Sequence, residues 1–135
     1  MTYRETYLRW RECVTEPDLL AELEAIQDED AQIQDRFLRD LPFGTAGLRG
    51  VIGAGIARMN RYVVGRATQG LADYLLTHAG AGASAVIAYD SRRFSFEFAR
   101  ETACVLAANG ITVYLFKQLT SVPELSFAVR HLKAS

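Results

Sequence analysis

Cysteine is scarce in this sequence. The 135 residues contain only Cys13 and Cys104, which lie far apart with no second cysteine or histidine at the spacing of a metal site. This scarcity argues against a metal-binding module, and nothing around either thiol indicates a cysteine nucleophile. Each cysteine lies in a helix-like segment, so we expect two buried, reduced thiols that pack as small apolar side chains.

An excess of positive charge is also missing. Fifteen Lys and Arg stand against sixteen Asp and Glu, so the formal net charge is -1 and no global positive field exists to hold a phosphate backbone. No apolar run approaches the roughly 20 residues that cross a bilayer, and the N-terminus lacks the apolar centre of a signal peptide. We therefore expect a cytoplasmic protein that binds neither nucleic acid nor a membrane.

Apolar side chains are plentiful, at 50% of the residues, which is enough to fill the core of one ordinary domain. Residues 1–41 are dense in charge and in helix formers, and they predict a helical N-terminal extension. A first amphipathic pattern follows Pro17, and a second covers residues 31–38, whose polar side chains we assign to a solvated face. The first pattern consists of Leu19, Leu20, Leu23 and Ile26.

From Pro42 onward, short apolar segments alternate with helical ones. Residues 85–89 and 111–116 are typical of buried strands, and the helices predicted around them are residues 60–78, 95–109 and 121–132. This order predicts an α/β fold, with a short, mostly parallel sheet between helices, for residues 42–135. The pattern calls for one more strand after the last helix, so we expect an unpaired sheet edge through which the chain self-associates.

Local signals mark the ends of these helices. Asn60 fits an N-cap, Ser121 opens a capping box that includes Glu124, and Gly110 lies where a left-handed residue ends a helix. His78 and His131 fall near C-terminal helix ends, where the helix dipole favours a partly cationic ring. We assign both histidines to surface capping.

A glycine-rich run covers residues 43–50, with the sequence FGTAGLRG. It matches neither the P-loop pattern nor a dinucleotide-binding pattern. It nevertheless places the hydroxyl of Thr45 four residues before the guanidinium of Arg49 on a backbone that a ligand can approach closely. An arginine presented in this way grips phosphate oxygens with two parallel hydrogen bonds, whereas the simpler alternative is a tight turn with a surface arginine.

This octapeptide resembles the opening motif of the α-D-phosphohexomutases, the phosphoglucomutase and phosphomannomutase superfamily. Three further stretches resemble the same family in the same order: residues 58–71, 88–95 and 121–130. The agreement covers about 90 residues, from 42 to 132. The long helical N-terminus is similar to that of the phosphoglucomutase and phosphopentomutase branch, whereas phosphomannomutases have a shorter N-terminus.

The resemblance implies domain I of this family, with its first strand, after Gly47, antiparallel to the others. It further implies a four-domain enzyme that moves phosphate between C1 and C6 of a hexose phosphate through a phosphoserine and a bisphosphate sugar. Within the family, we expect a phosphoglucomutase. The implied cofactors are Mg²⁺ and glucose 1,6-bisphosphate, and the implied partners are a sugar phosphate and the remaining mutase domains. The family's serine loop, magnesium-binding aspartates and sugar-selecting loop have no counterpart here. We expect an incomplete domain that has no metal ligands and is inactive alone.

Carried over residue by residue, Thr45 and Arg49 match family positions that line the active site near the phosphoserine. Arg49 would stabilise the charge on the transferring phosphate. Arg92 and Arg93 are secondary phosphate-binding candidates, because a structural role at the end of a strand explains them equally well. Ser91 precedes them, but no histidine lies near it in sequence to act as its base.

Two other interpretations remain open. The chain could be a stand-alone module that binds an anion or a protein without chemistry, or a truncated piece with no activity. The coding sequence downstream of Ser135 would distinguish the enzyme from the stand-alone module. A T-A-S-H-N-P loop there favours the enzyme, and a natural stop codon favours the module.

Overall fold

A computed structural model describes all residues, 1–135. The chain forms two compact units, unit 1 (Met1–Val63) and unit 2 (Val64–Ser135). The predicted boundary between residues 41 and 42 concerns family domains and stays a prediction. In chain order the elements are α1 (Tyr3–Cys13), α2 (Pro17–Ala25), α3 (Asp30–Phe37), β1 (Phe43–Gly44), β2 (Gly47–Leu48), α4 (Arg61–Ala79), a 3₁₀ turn (Gly80–Gly82), β3 (Ser84–Ile87), α5 (Ser95–Ala108), β4 (Thr112–Leu115) and α6 (Val122–His131).

Unit 1 is built mainly from α1, α2 and α3, so the helical N-terminal arm is confirmed. The Thr2 side chain accepts the backbone N–H of Glu5 while the Glu5 carboxylate accepts the N–H of Thr2, which satisfies two donors at the start of α1. Pro17 is the first residue of α2, a position that the fixed φ of proline favours. The core of the unit consists of Tyr7, Val14, Leu23, Ile26, Ile33, Phe37 and Ala54.

The glycine-rich run forms a hairpin in unit 1. Strands β1 and β2 pair antiparallel, with Phe43 opposite Leu48 and Gly44 opposite Gly47. Gly47 has φ +95°, which only glycine adopts without strain. The antiparallel direction was expected, but β2 pairs with β1 alone, so this strand does not join the sheet formed by β3 and β4.

Unit 2 contains the α/β layer. Strands β3 and β4 are parallel, with Ser84 opposite Thr112 and Ile87 opposite Leu115, and α5 lies between them in the chain. The mixed α/β fold with a short parallel sheet is therefore confirmed. The core consists of Ala72, Leu75, Ala83, Leu106 and Ile111.

The predicted helix ends agree with the structure. The Asn60 side chain accepts the N–H of Val63 at 3.0 Å, Ser121 and Glu124 form the capping box of α6, and Gly110 has φ +78°. His78 and His131 lie in the last turns of α4 and α6. These features depend on neighbours within a few residues, which is why sequence patterns reveal them.

Two sequence expectations were wrong. Cys13 and Cys104 are free thiols, but both are exposed, because α1 and α5 turn these positions away from their cores. The spacing of the apolar residues in α4 predicts a buried face that includes Leu71, Tyr74 and Leu75, but Leu71 and Tyr74 are exposed, and Ala72 is buried with Leu75. No helix of the structure is both long enough and apolar enough to span a membrane.

Candidate functional site

The site hairpin, defined as residues 43–49, carries two of the predicted site residues. Thr45 lies in the two-residue turn between β1 and β2, and Arg49 directly follows β2; both are exposed. No hydrogen bond or ion pair within the chain engages the Arg49 guanidinium. The structure thus presents an exposed hydroxyl and an exposed guanidinium on one short hairpin.

Backbone hydrogen bonds fix both ends of the site hairpin. Before it, the N–H of Leu41 donates to the carbonyl of Ile56 at 3.0 Å. After it, the carbonyl of Val51 accepts the N–H of Met59 at 2.8 Å. The hairpin therefore projects from a base formed by the segment that follows it, residues 51–60.

A buried asparagine shapes that base. The Nδ2 atom of Asn60 donates to the carbonyls of Gly53 and Gly55, each at 2.9 Å, and its Oδ1 accepts from Val63 at the start of α4. Asn60 is buried, so these contacts replace its hydrogen bonds to water. One side chain thereby caps a helix and folds the anchor turn, defined as residues 53–55.

Two charged side chains of the helical arm hold the centre of the anchor turn. Glu22 Oε2 accepts the N–H of Ala54 at 3.0 Å and pairs with Arg36 Nη1 at 2.7 Å. The same Nη1 atom also donates to the Ala54 carbonyl at 3.2 Å. Both backbone polar groups of the fully buried Ala54 are thus satisfied by one ion pair.

Arg36 is an exception on the solvated face assigned to residues 31–38, where Gln32, Gln34 and Asp35 are exposed as expected. The Arg36 side chain retains only 17% of its exposure because it extends into unit 1 to reach Ala54. A weak signal for this was present in the sequence. Glu22 lies three residues after Leu19 and four before Ile26, so a charge falls on the apolar face of α2. A charge at such a position indicates a buried partner.

The other predicted phosphate-binding residues lie in unit 2, after β3. Asp90 accepts the backbone N–H of Arg92 at 3.0 Å and its Nε at 2.8 Å. These backbone and side-chain contacts, partly opposed by burial, hold the pKa of the Asp90 carboxyl below its usual range. The guanidinium of Arg93 lies 4.8 Å from the centre of the Phe94 ring. Both arginines have local structural partners, whereas Arg49 has none.

Neither a nucleophile nor a metal centre is formed by these residues. Ser91 is exposed, and the two histidines make other contacts: His78 meets the Tyr74 carbonyl, and His131 stacks on Phe127. No group of three His, Cys, Asp or Glu side chains comes together to hold a metal ion. Unit 2 also has an apolar groove of about 630 Å³ between β4 and α6, which contains none of the predicted site residues.

Comparison with known proteins identifies the family of this chain. The sequence profile of the family described as phosphoglucomutase/phosphomannomutase, alpha/beta/alpha domain I, matches residues 40–135. The chain belongs to this family. It is a phosphohexomutase domain I, preceded by a helical arm, and the site hairpin lies inside the matched region.

Several bacterial relatives are similar to this phosphohexomutase domain. A phosphoglucomutase of Staphylococcus saprophyticus is 44% identical over 126 residues, which cover 93% of this chain and 22% of that protein. The phosphoglucomutase of Staphylococcus aureus strain USA300 is 43% identical over 109 residues, or 81% of this chain and 20% of its own length. The chain thus spans about a fifth of the curated relatives that it matches. No solved structure matches it.

Proposed function

We propose that this chain is domain I of a phosphoglucomutase, which interconverts glucose 1-phosphate and glucose 6-phosphate through a phosphoserine and a bisphosphate sugar. Its contribution is the site hairpin. The observation that carries the proposal is the exposed pair Thr45 and Arg49 on a glycine-flanked turn, with the Arg49 guanidinium free of partners within the chain. The names of the relatives support the same activity.

Arg49 is the residue that we assign to phosphate. Its planar guanidinium offers two parallel N–H donors to the phosphoryl oxygens and neutralises charge that develops as the group transfers. Thr45 supplies a hydroxyl that donates to the same group. Arg92 and Arg93 are secondary phosphate contacts, since their local partners Asp90 and Phe94 already account for their placement.

The remaining components come from outside this chain. We propose that the remainder of domain I supplies the nucleophilic serine, in a loop just beyond the segment around Leu132, and that the other elements of the mutase supply the ligands of Mg²⁺, which polarises phosphate oxygens when bound. The residues present here do not fit a metal, so no step of this proposal involves one. Glucose 1,6-bisphosphate serves as activator, and the two-stranded sheet of unit 2 leaves strand edges through which the chain self-associates. The free thiols fit a reducing compartment such as the cytoplasm.

A domain graft tests the proposal. The aligned N-terminal segment of the Staphylococcus saprophyticus phosphoglucomutase is replaced by this chain, and the chimera is assayed with glucose 1-phosphate, glucose 1,6-bisphosphate and Mg²⁺. We expect turnover. In the chimera, Arg49→Lys keeps the charge but loses the planar fork, so kcat should fall by about ten- to a thousand-fold, or roughly 1.4 to 4 kcal/mol of transition-state stabilisation.

The control is Arg100→Lys, on the exposed surface of α5, which should leave kcat within about twofold. Near-normal kcat and kcat/KM in Arg49→Lys would remove Arg49 from the site. A folded chimera with no turnover, combined with phosphate binding by the isolated chain, would instead favour the non-catalytic anion-binding module. The isolated chain should show no turnover, because catalysis needs groups that it lacks.

A further inference from the structure

The ion pair between Glu22 and Arg36 is partly buried: the Arg36 side chain keeps 17% of its exposure and the Glu22 side chain keeps 40%. Both side chains turn toward the anchor turn and contact its backbone. The Arg36 Nε atom is buried without a partner, although its Nη1 atom has two. Both functional groups are thus held where they meet one buried residue, Ala54.

The glycines on either side of Ala54 leave room for Glu22 and Arg36. A Cβ atom on Gly53 would lie 2.8 Å from Glu22 Oε2, and one on Gly55 would lie 2.8 Å from the carbonyl oxygen of Arg36. Gly55 also has φ +128°, outside the range that other residues adopt without strain. The anchor turn therefore has the shape that lets α2 and α3 contact its backbone directly.

The contacts continue from the anchor turn to the base of the site hairpin. The Arg36 carbonyl accepts the N–H of Ala57 at 3.0 Å, next to Ile56, which accepts from Leu41. On the other side, Gly53 donates to the carbonyl of Met59 at 3.1 Å, and the Met59 N–H holds Val51. Each end of the site hairpin is thus one or two hydrogen bonds away from a residue that α2 or α3 contacts.

We propose that Glu22 and Arg36 are positioning residues that hold the anchor turn and thereby fix the site hairpin that presents Arg49. The helical arm then acts on the phosphate site without touching phosphate. This inference rests on the proposed function for its catalytic meaning. The mechanical part, the dependence of the hairpin on an ion pair in the arm, stands on the structure of unit 1 alone.

Amide hydrogen exchange on the complete 135-residue chain, followed by NMR, tests the proposal. Glu22→Ala removes the acceptor of the Ala54 N–H, so exchange should accelerate at least about tenfold at Ala54 and about threefold or more across residues 43–49. Exchange at Leu23, in the core of the arm, should change by less than about twofold. A merely structural role would accelerate Leu23 as much as the hairpin.

A conservative variant and a matched control sharpen the result. Glu22→Gln keeps an oxygen that accepts hydrogen bonds from Ala54 and Arg36. The logarithm of the exchange rate at Ala54 should therefore return at least about halfway from its value in Glu22→Ala to its value in the unsubstituted chain. Asp30→Ala breaks another ion pair of the arm, Arg4 with Asp30 at 2.7 Å, which does not touch the anchor turn. It should leave exchange at Ala54 and the hairpin unchanged. If Glu22→Ala does not fold, Arg36→Met replaces it, because the apolar side chain removes both contacts of the Nη1 atom, and exchange at Ala54 should again accelerate.

Unchanged exchange at the hairpin in folded Glu22→Ala and Arg36→Met would overturn the proposal, as would an equal change in Asp30→Ala. Titration with inorganic phosphate, read from the Arg49 side-chain Nε–H signal, separates this outcome from failure of the proposed function. If exchange at the hairpin accelerates in Glu22→Ala, while phosphate does not shift the Arg49 signal of the unsubstituted chain, the positioning role stands and the phosphate assignment fails.

Discussion

The two units place their candidate site residues by different means. In unit 1 the base of the site hairpin is held by partners distant in sequence: Glu22 contacts Ala54 across 32 residues, and Arg36 does so across 18. In unit 2 the loop with Arg92 is held by near neighbours, with Asp90 bonded to Arg92 two residues on and to Ser95 five residues on.

This difference affects how each site responds to change. A loop held by its neighbours keeps its local shape even when remote residues are altered. A loop whose central residue, Ala54, belongs to the core of its unit changes whenever that core changes. We therefore expect the placement of Arg49 to be sensitive to core mutations in unit 1, while the loop around Arg92 stays insensitive to them.

The largest expected effect comes from Phe37→Ala. Phe37 is 2% exposed, and its ring meets those of Tyr7 and Trp10 edge-on at 5.6 Å. Its loss should lower the free energy of unfolding of unit 1 by about 3 to 5 kcal/mol. Fluorescence of Trp10, the only tryptophan, follows unit 1 in a urea titration.

The matched change in unit 2 is Leu106→Ala, at a core residue 1% exposed, with an expected loss of about 2 to 5 kcal/mol. It is followed by amide exchange at Ile111. If Phe37→Ala lowered protection at Ile111 as much as it shifted the Trp10 transition, the two units would unfold as one, and the contrast between them would not hold for stability.

A smaller effect is expected from Gly55→Ala. The new Cβ would require a positive φ and would lie 2.8 Å from the Arg36 carbonyl oxygen, so unit 1 should lose about 2 to 4 kcal/mol. Gly110→Ala in unit 2 also requires a positive φ, but open space surrounds that position, and the cost should be about 1 kcal/mol. Urea titrations compare the two variants, with Trp10 fluorescence as the readout for unit 1 and amide exchange at Ile111 as the readout for unit 2. Equal costs would mean that the arm yields to the added methyl group.

The same contrast explains which features the sequence revealed. The caps at Asn60 and Ser121 and the left-handed Gly110 depend on residues within a few positions, so local patterns identify them. The parallel pairing of β3 with β4 follows from the alternation of strands and helices. The spacing of Glu22 between Leu19 and Ile26 marks a charge on the apolar face of α2, but its contact with Ala54 depends on the packing of α2 and α3 and is not encoded locally. Thr45 and Arg49 were assigned through the family motif, and their catalytic role stays a prediction.

The smallest expected effect concerns acid stability. Burial raises the pKa of the Glu16 carboxyl, but hydrogen bonds from the Tyr62 hydroxyl, its own backbone N–H and Arg61 outweigh this and lower the pKa overall. Because the folded pKa lies below the unfolded value of about 4.3, this group stabilises unit 1 above that pH, and the contribution is lost as pH falls through the folded pKa. Glu16→Gln should therefore cost unit 1 about 1 kcal/mol at pH 7 and flatten its acid dependence.

Asp90→Asn provides the comparison in unit 2. The pKa of Asp90 is also lowered, chiefly by the backbone N–H of Arg92, so its contribution has the same sign and is lost in acid. Glu16 is bonded to Tyr62, 46 residues away, whereas Asp90 is bonded to its immediate neighbours. Urea titrations between pH 3 and pH 7 should therefore show that Glu16→Gln shifts the Trp10 transition of unit 1. Asp90→Asn should alter amide exchange at Arg92 and Ser95 and leave Ile111 unchanged. A shift at Ile111 in Asp90→Asn would show that the loop after β3 is coupled to its core, as the anchor turn is in unit 1.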